Sequence, residues 1–269
     1  MKNLIKIICL FFIFTLAGCS AKAQVVETTV KADTSKTFTV GFDAEYPPYG
    51  YLADNGDYTG FDLELAEEFC KRNNYTLVKK PIDWDGKDLE LNSGNIDCIW
   101  NGFTVTGREN NYEWTIPYID NSIVVVVKTD SNINTLEDLK EKIILVQQGS
   151  SGEMALESDD NKDLTASFKD LLTVPDYNSA MMQLEMGEVD AVVIDVGVAE
   201  YEIKGKENKF KILTQEINKE QYAVGFKLGN VELKNEVEKC LLDMYKDGTM
   251  NKIADKYSDY NIKGSICLK

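Results

Sequence analysis

The sequence predicts an α/β protein built as two lobes of similar construction. Three observations carry this. Apolar runs at Ile96–Trp100, Ile123–Val127, Ile143–Val146 and Val189–Ile194 have strand length but no alternation, as expected of strands covered on both faces in a parallel sheet. Helical stretches separate several of them, including 179–186 and 231–246. Finally, one motif occurs twice. Leu91-Asn-Ser-Gly94-Asn-Ile96-Asp97-Cys98-Ile99 matches Leu184-Glu-Met-Gly187-Glu-Val189-Asp190-Ala191-Val192 at the Leu, the Gly, both branched residues, the Asp and the small residue. Each copy reads as a helix end, a glycine that tolerates a left-handed cap, and a buried strand.

The elements follow in order. Lys2 and Lys6 precede an apolar run, Ile7–Leu16, too short for a permanent membrane span but suited to a signal-peptide core. Leu16-Ala17-Gly18-Cys19 then resembles a bacterial lipobox, so residues 1–18 are expected to be removed and Cys19 acylated. Several acyl chains would anchor the protein to the cell membrane, where one would hold only marginally. The polar stretch up to residue 36 reads as a flexible tether. Phe38, Val40 and Phe42 alternate with Thr37, Thr39 and Gly41 as a strand, followed by a Pro-bearing loop from Asp43 to Gly50. Phe61, Leu65, Ala66, Phe69 and Cys70 recur at helical spacing, with Asp62 and Glu64 at the end favoured by the helix dipole.

Composition excludes several function classes. The formal charge of −16 argues against nucleic acid or an anionic membrane surface as partner. The chain has no histidine, which removes His-based triads and most transition-metal sites. The cysteines past Cys19 are Cys70, Cys98, Cys240 and Cys267; none has CxxC spacing, and a Cys240–Cys267 disulfide is one option that export leaves open. No metal and no cofactor are expected.

In open parallel sheets ligands gather beyond the carboxyl ends of the strands. The first repeat strand runs out into Asn101-Gly102-Phe103-Thr104, the second into Asp195. One lobe would then supply amides, hydroxyls and a cation, the other an anion, which is what a zwitterion requires. The cation is Arg108. Only two arginines stand against a large excess of lysine, and Arg72 ends the first amphipathic helix as a solvated charge. Arg108 follows a strand end, where its planar fork suits a carboxylate.

Gly60-Phe61-Asp62-Leu63-Glu64-Leu65-Ala66-Glu67-Glu68-Phe69-Cys70 resembles the signature helix of the family 3 extracellular solute-binding proteins, the polar amino-acid receptors of ABC importers. The likeness covers nearly all of residues 37–258. It includes Asp43-Ala-Glu-Tyr46-Pro-Pro-Tyr49, Asp83-Trp84-Asp85-Gly86, the Asn101–Arg108 segment, Pro117-Tyr118, Gln148-Gly149-Ser150-Ser151-Gly152-Glu153, Val189–Asp195, Glu220-Gln221-Tyr222 and Lys246-Asp-Gly-Thr249.

The resemblance implies a two-lobed, periplasmic-binding-protein-like fold of type II, with two parallel-dominated sheets joined by a two-strand hinge. It implies that Arg108, Thr104 and Ser151 hold the ligand α-carboxylate, and that Asp195 and the Gly102 carbonyl meet the ammonium. Tyr46 and Trp84 would sandwich the side chain, with Asp43 at its polar end. One departure stands out. The family usually reads Thr-x-Thr-Pro-x-Arg, whereas this chain has Thr104-Val-Thr106-Gly107-Arg108, one residue shorter and without the proline. Glu109 falls where a rigid alignment puts the arginine; Arg108 is expected to take the role because Gly107 lets the loop be re-aimed.

The expected lobes are 37–126 with 226–269, and 127–225, the chain crossing near Val126–Lys128 and Tyr222–Phe226. The expected protein is a monomeric, extracytoplasmic receptor that captures a polar amino acid or cystine and delivers it to an ABC permease and ATPase complex. Two alternatives use the same fold: an exported dehydratase acting on cyclohexadienyl amino acids, with Glu45 the nominal general acid, and an amino-acid sensor or surface-interaction protein.

Overall fold

The computed structural model describes residues 36–269; the predicted signal peptide, Cys19 and the tether lie outside the described residues. Strand β1 (Lys36–Phe42) leads into a small antiparallel sheet of β2 (Glu45–Tyr46), β3 (Gly50–Leu52) and β4 (Tyr58–Thr59). Helix α1 (Phe61–Asn73) returns to β5 (Tyr75–Pro81), and a 3₁₀ turn at Trp84–Gly86 runs into α2 (Lys87–Ser93), β6 (Cys98–Ile99) and β7 (Glu113–Trp114). Next come β8 (Ile119–Lys128), β9 (Ile143–Gln147), α3 (Ser151–Glu157), α4 (Lys162–Ser167) and β10 (Asp170–Val174). They are followed by α5 (Tyr177–Met186), β11 (Ala191–Asp195), α6 (Val196–Ile203), β12 (Phe210–Ile212) and β13 (Asn218–Tyr222). The chain closes with β14 (Gly225–Phe226), α7 (Val231–Lys246), α8 (Thr249–Ala254) and α9 (Ile262–Ser265).

Two principal sheets result, in the orders β5-β1-β6-β14-β7 and β10-β9-β11-β8-β12, with β13 also on β8. Three strands in each are mutually parallel, but β14, β7, β8, β12 and β13 pair antiparallel. Both sheets are therefore mixed rather than parallel-dominated. The parallel strands come from strand–helix–strand units, while β8 and β14 pair antiparallel where the chain passes from one sheet to the other. Both faces of β8 are covered: Val124 and Val126 join one apolar cluster, and Ile123, Val125 and Val127 another. That explains the missing alternation.

The sequence repeat is a structural repeat. Gly94 and Gly187 cap α2 and α5 in the left-handed region, both at φ 77°. Asn95 N donates to Glu90 O and Glu188 N to Gln183 O, each at 3.0 Å, closing the same type of cap. The shared aspartates also do the same work. Asp97 Oδ2 accepts from Thr39 N at 2.7 Å, and Asp190 Oδ2 from Ile143 N at 2.8 Å, so each fixes its strand against a parallel neighbour, β1 in one sheet and β9 in the other.

The crossings lie between β7 and β8 and between β13 and β14. Ile119–Ile123 pair with Asn218–Tyr222, whereas Val124–Val127 already pair with β11. The boundary expected at 126/127 thus falls inside β8, because an apolar run marks a buried strand without saying which sheet buries it. The C-terminal end also differs from a simple lobe-one tail: Ile266 bridges to Ile119, and Cys267 N donates to Tyr118 O. Arg72 is more than a solvated charge. It binds Glu68 of its own helix, Asp247 and Thr249, tying α1 to the turn between α7 and α8. Cys70, Cys98, Cys240 and Cys267 are free thiols.

Candidate ligand-binding cleft

The site forms where the parallel strands of both sheets end. After β6 the chain turns at Gly102, whose φ of +55° suits glycine and where a Cβ would stand 2.7 Å from the Tyr46 ring. Asp62, near the start of α1, holds this turn. Its Oδ2 accepts from Gly102 N at 2.6 Å and its Oδ1 from the Tyr118 hydroxyl at 2.7 Å. Burial raises the Asp62 carboxyl to about 7 against the opposing pull of those two donors.

The short loop beyond Thr104 turns at Gly107, φ +81°. This aims Arg108 inward, while exposed Glu109 folds back to accept from Gly107 N at 3.0 Å. The Arg108 guanidinium lies over the Phe103 ring and donates only to carbonyls, those of Thr104 at 3.3 Å and Gly149 at 3.2 Å. Buried at 8% exposure, it forms no ion pair among the described residues, and burial lowers its pKa. Lys87 Nζ joins it on the Gly149 carbonyl at 3.1 Å, and burial together with the Arg108 charge lowers Lys87 to about 8.

Asp195 closes β11 at the opposite wall. Its Oδ1 accepts from the Tyr222 hydroxyl at 2.6 Å and from Asn121 Nδ2 at 2.8 Å; burial raises its pKa although those donors pull it down. The same Asn121 nitrogen reaches Glu220 Oε1 at 2.9 Å. Glu220 Oε1 also accepts from Thr104 Oγ1 at 2.6 Å and Ser151 Oγ at 3.0 Å, and burial plus the Asp195 charge raise Glu220 to about 7. Ser151 begins α3, whose N-cap Ser150 accepts from Glu153 N at 3.1 Å.

The Tyr46 and Trp84 rings lie within 8° of parallel with centroids 6.5 Å apart, and Trp84 also meets Phe103 edge-on. Tyr46, Trp84, Gly102, Thr104, Arg108, Ser151 and Asp195 all line one closed cavity of about 10 Å³, together with Gln147 and Ser150. Of the expected residues only Asp43 stands apart. It lines the adjoining mouth with Glu45, Asp83, Asp85, Glu90 and Asp176, and accepts from Gln147 Nε2 across the cleft at 2.7 Å. Glu45 sits at this mouth, bound to Asn178 at 3.2 Å, outside the inner cavity.

Gln147, Ser150, Asp62, Lys87, Asn121 and Glu220 were not marked as site residues by the sequence reading. Asp62, Ser150 and Glu220 lay inside recognised motifs, but the partners of Asp62 and Glu220 lie far away in the chain. Among the described residues no acidic or thiol cluster is arranged to hold a metal ion.

Two lobes, a two-strand connection and a small polar cavity between strand ends define a solute-binding protein. The chain belongs to the bacterial extracellular solute-binding proteins, family 3, matched over residues 38–260. It is 28% identical to the L-cystine-binding protein TcyJ of Escherichia coli, an alignment covering 90% of each chain. The structure resembles a Streptococcus pneumoniae ABC uptake transporter substrate-binding protein with bound histidine, at TM-score 0.81 and 30% identity over 86% of this chain and 95% of the other. It also resembles the ancestral amino-acid-binding protein AncCDT-1, a precursor of cyclohexadienyl dehydratase, at TM-score 0.74 and 30% identity over 82% and 95%.

Proposed function

We propose that the chain is the extracytoplasmic, lipid-anchored receptor of an amino-acid ABC importer, binding one amino acid between its lobes. The observation that carries this reading is Arg108: a buried guanidinium without a carboxylate, facing a cavity whose far wall holds Asp195. An uncompensated buried charge is costly, and a ligand carboxylate removes that cost. The α-carboxylate binds Arg108 and the Thr104–Ser151 side, and the ammonium binds Asp195 and the Gly102 carbonyl.

A flat side chain between Tyr46 and Trp84, each at about 3.5 Å, needs near-parallel rings about 7 Å apart face to face; the two rings are within 8° of parallel with centroids 6.5 Å apart, and opening of the cleft sets the gap. The acidic mouth beyond favours a cationic end, which supports arginine-like ligands over neutral ones; cystine, with a second ammonium to offer, is the alternative. Two lobes, 37–118 with the segment from about 223, and 119–222, close about the β8–β13 pair as the ligand bridges them. One chain carries both halves of the site, so it works as a monomer, with Cys19 as the anchor and the permease as the recipient.

The receptor reading is preferred to a dehydratase because the inner acids Asp195 and Glu220 are already held by hydroxyls and Asn121, and Glu45 lies outside the cavity. A thermal-shift screen of the unlipidated protein against the amino acids and L-cystine tests it, since a ligand of the native state raises Tm. No shift with any of them, or turnover of prephenate or arogenate, would overturn it.

A further inference from the structure

The hydroxyls assigned above to the ligand carboxylate are already in use. A serine or threonine hydroxyl has a single proton to donate. Those of Thr104 and Ser151 both go to one oxygen, Glu220 Oε1, which also receives Asn121 Nδ2. The other oxygen, Oε2, is buried without a hydrogen-bond partner. Glu220 sits on the connecting strand β13, Thr104 in the loop after β6 and Ser151 on α3, so this one carboxylate gathers groups from both sides of the cleft.

Resting on the amino-acid reading of this cavity, we propose that Glu220 is a positioning residue that competes with the ligand. Its carboxylate holds the hydroxyl protons of Thr104 and Ser151, and it yields them to the incoming α-carboxylate by taking up one proton from solvent. A ligand carboxylate brought onto the donors of Glu220 adds a second like charge beside it, after Asp195, and that repulsion favours the neutral form of Glu220. Protonation turns Glu220 from a rival acceptor into a neutral group, and the neighbouring Asp195 carboxylate is an acceptor for its new O–H. The groups facing Glu220 are Asp195 from β11, Arg108 from the loop after β6, Tyr177 from α5, Tyr49 from the β2–β3 turn and Tyr222 from its own strand. Of these only Arg108 favours the ionised form, and the ligand carboxylate neutralises it on binding. The carboxyl already stands near neutrality through burial and the Asp195 charge, so the uptake falls within an accessible pH range.

The test is calorimetry of L-arginine binding between pH 7 and 8.5, in buffers of different ionisation enthalpy, for the native chain and Glu220→Gln. The native chain is expected to take up close to one proton at the alkaline end and to lose affinity by about tenfold per pH unit there. Glu220→Gln keeps an acceptor for the two hydroxyls and is expected to bind with neither effect. Binding without uptake, or with proton release, overturns the proposal alone. Uptake that persists undiminished in Glu220→Gln overturns it too, by assigning the proton to another group such as Lys87. Absence of binding by L-arginine, L-lysine, L-histidine, L-glutamine and L-cystine alike would overturn the amino-acid reading itself, and this proposal with it.

Discussion

Arg108 Nη2 donates across the cleft to the main-chain oxygen of Gly149 at 3.2 Å, so a cation on one wall is seated at the start of α3 on the other. A carbonyl dipole satisfies one N–H of the guanidinium but leaves its charge uncompensated. The contact therefore orients the side chain without answering the cost of burying it.

That asymmetry separates binding from stability. Arg108→Met is expected to reduce amino-acid affinity by at least about 100-fold, the loss of two charge-assisted hydrogen bonds at roughly 1.5–3 kcal/mol each. The free protein should keep close to its native stability, because Arg108 forms no ion pair and Glu220 can take up a proton once the cation that favours its ionised form is gone. Arg108→Lys should recover only part of the affinity, a point charge replacing a fork. Calorimetry and urea unfolding check the two halves; undiminished affinity in Arg108→Met would remove the carboxylate assignment.

Asp62 gives the fold a pH dependence of definite sign. Its carboxyl is raised from the usual range to about 7, chiefly by burial. A raised acid contributes stability that is fully present below its unfolded value, near pH 4, and is lost as pH climbs through 7. The difference is on the order of 4 kcal/mol at about 1.4 kcal/mol per pH unit. Asp62→Asn cannot ionise, so its urea midpoint should fall less than that of the native chain between pH 4 and 8. Parallel profiles for the two proteins would show that the Gly102 turn is held in some other way.

The repeat, the covered strands and the residue types at both strand ends were legible because each is a local property. Gly94 and Gly187 announce helix ends by needing a left-handed cap, and Asp97 and Asp190 repeat because both sheets are assembled alike. Register was harder. Whether Arg108 or Glu109 faces inward turns on the φ of Gly107, one dihedral in a shortened loop. The roles of Glu220 and Gln147 were not legible for another reason: their partners Asn121 and Asp43 lie about a hundred residues away and meet them only once β13 pairs with β8 and the two strand ends face each other. The crossing expected near Val126–Lys128 falls inside β8, because Ile123–Val127 is equally apolar whichever sheet it joins.

The parallel rings of Tyr46 and Trp84 make a prediction about shape. Trp84→Phe should cost little affinity, since a flat face remains at the same spacing. Trp84→Leu is expected to lose about tenfold, from one stacking or cation–π contact of roughly 1–2 kcal/mol. The loss should be larger for L-arginine and L-histidine than for L-alanine, which does not reach between the rings. Equal losses for all three would place the side chain elsewhere.

Charge at the cleft mouth predicts selectivity among ligands of similar length. Asp43, Glu45, Asp83, Asp85 and Asp176 line the mouth, and Asp43 and Glu45 are both raised, first by burial and then by each other's neighbouring acids. Mutual repulsion opposes their ionisation, and a cationic side chain relieves it, so L-arginine should bind more tightly than L-glutamine, which has a neutral amide instead. The advantage should shrink with added salt, because the mouth is open and its field is screened over about 10 Å at 0.1 M. Asp43→Asn should narrow the ratio several-fold while leaving glutamine affinity nearly unchanged, since Asn101 and Gln147 still hold the loop through its main chain and side chain. Competition calorimetry at low and high salt reads both effects. Glutamine bound more tightly than arginine at every ionic strength would show that ring spacing, and not mouth charge, sets the choice of ligand.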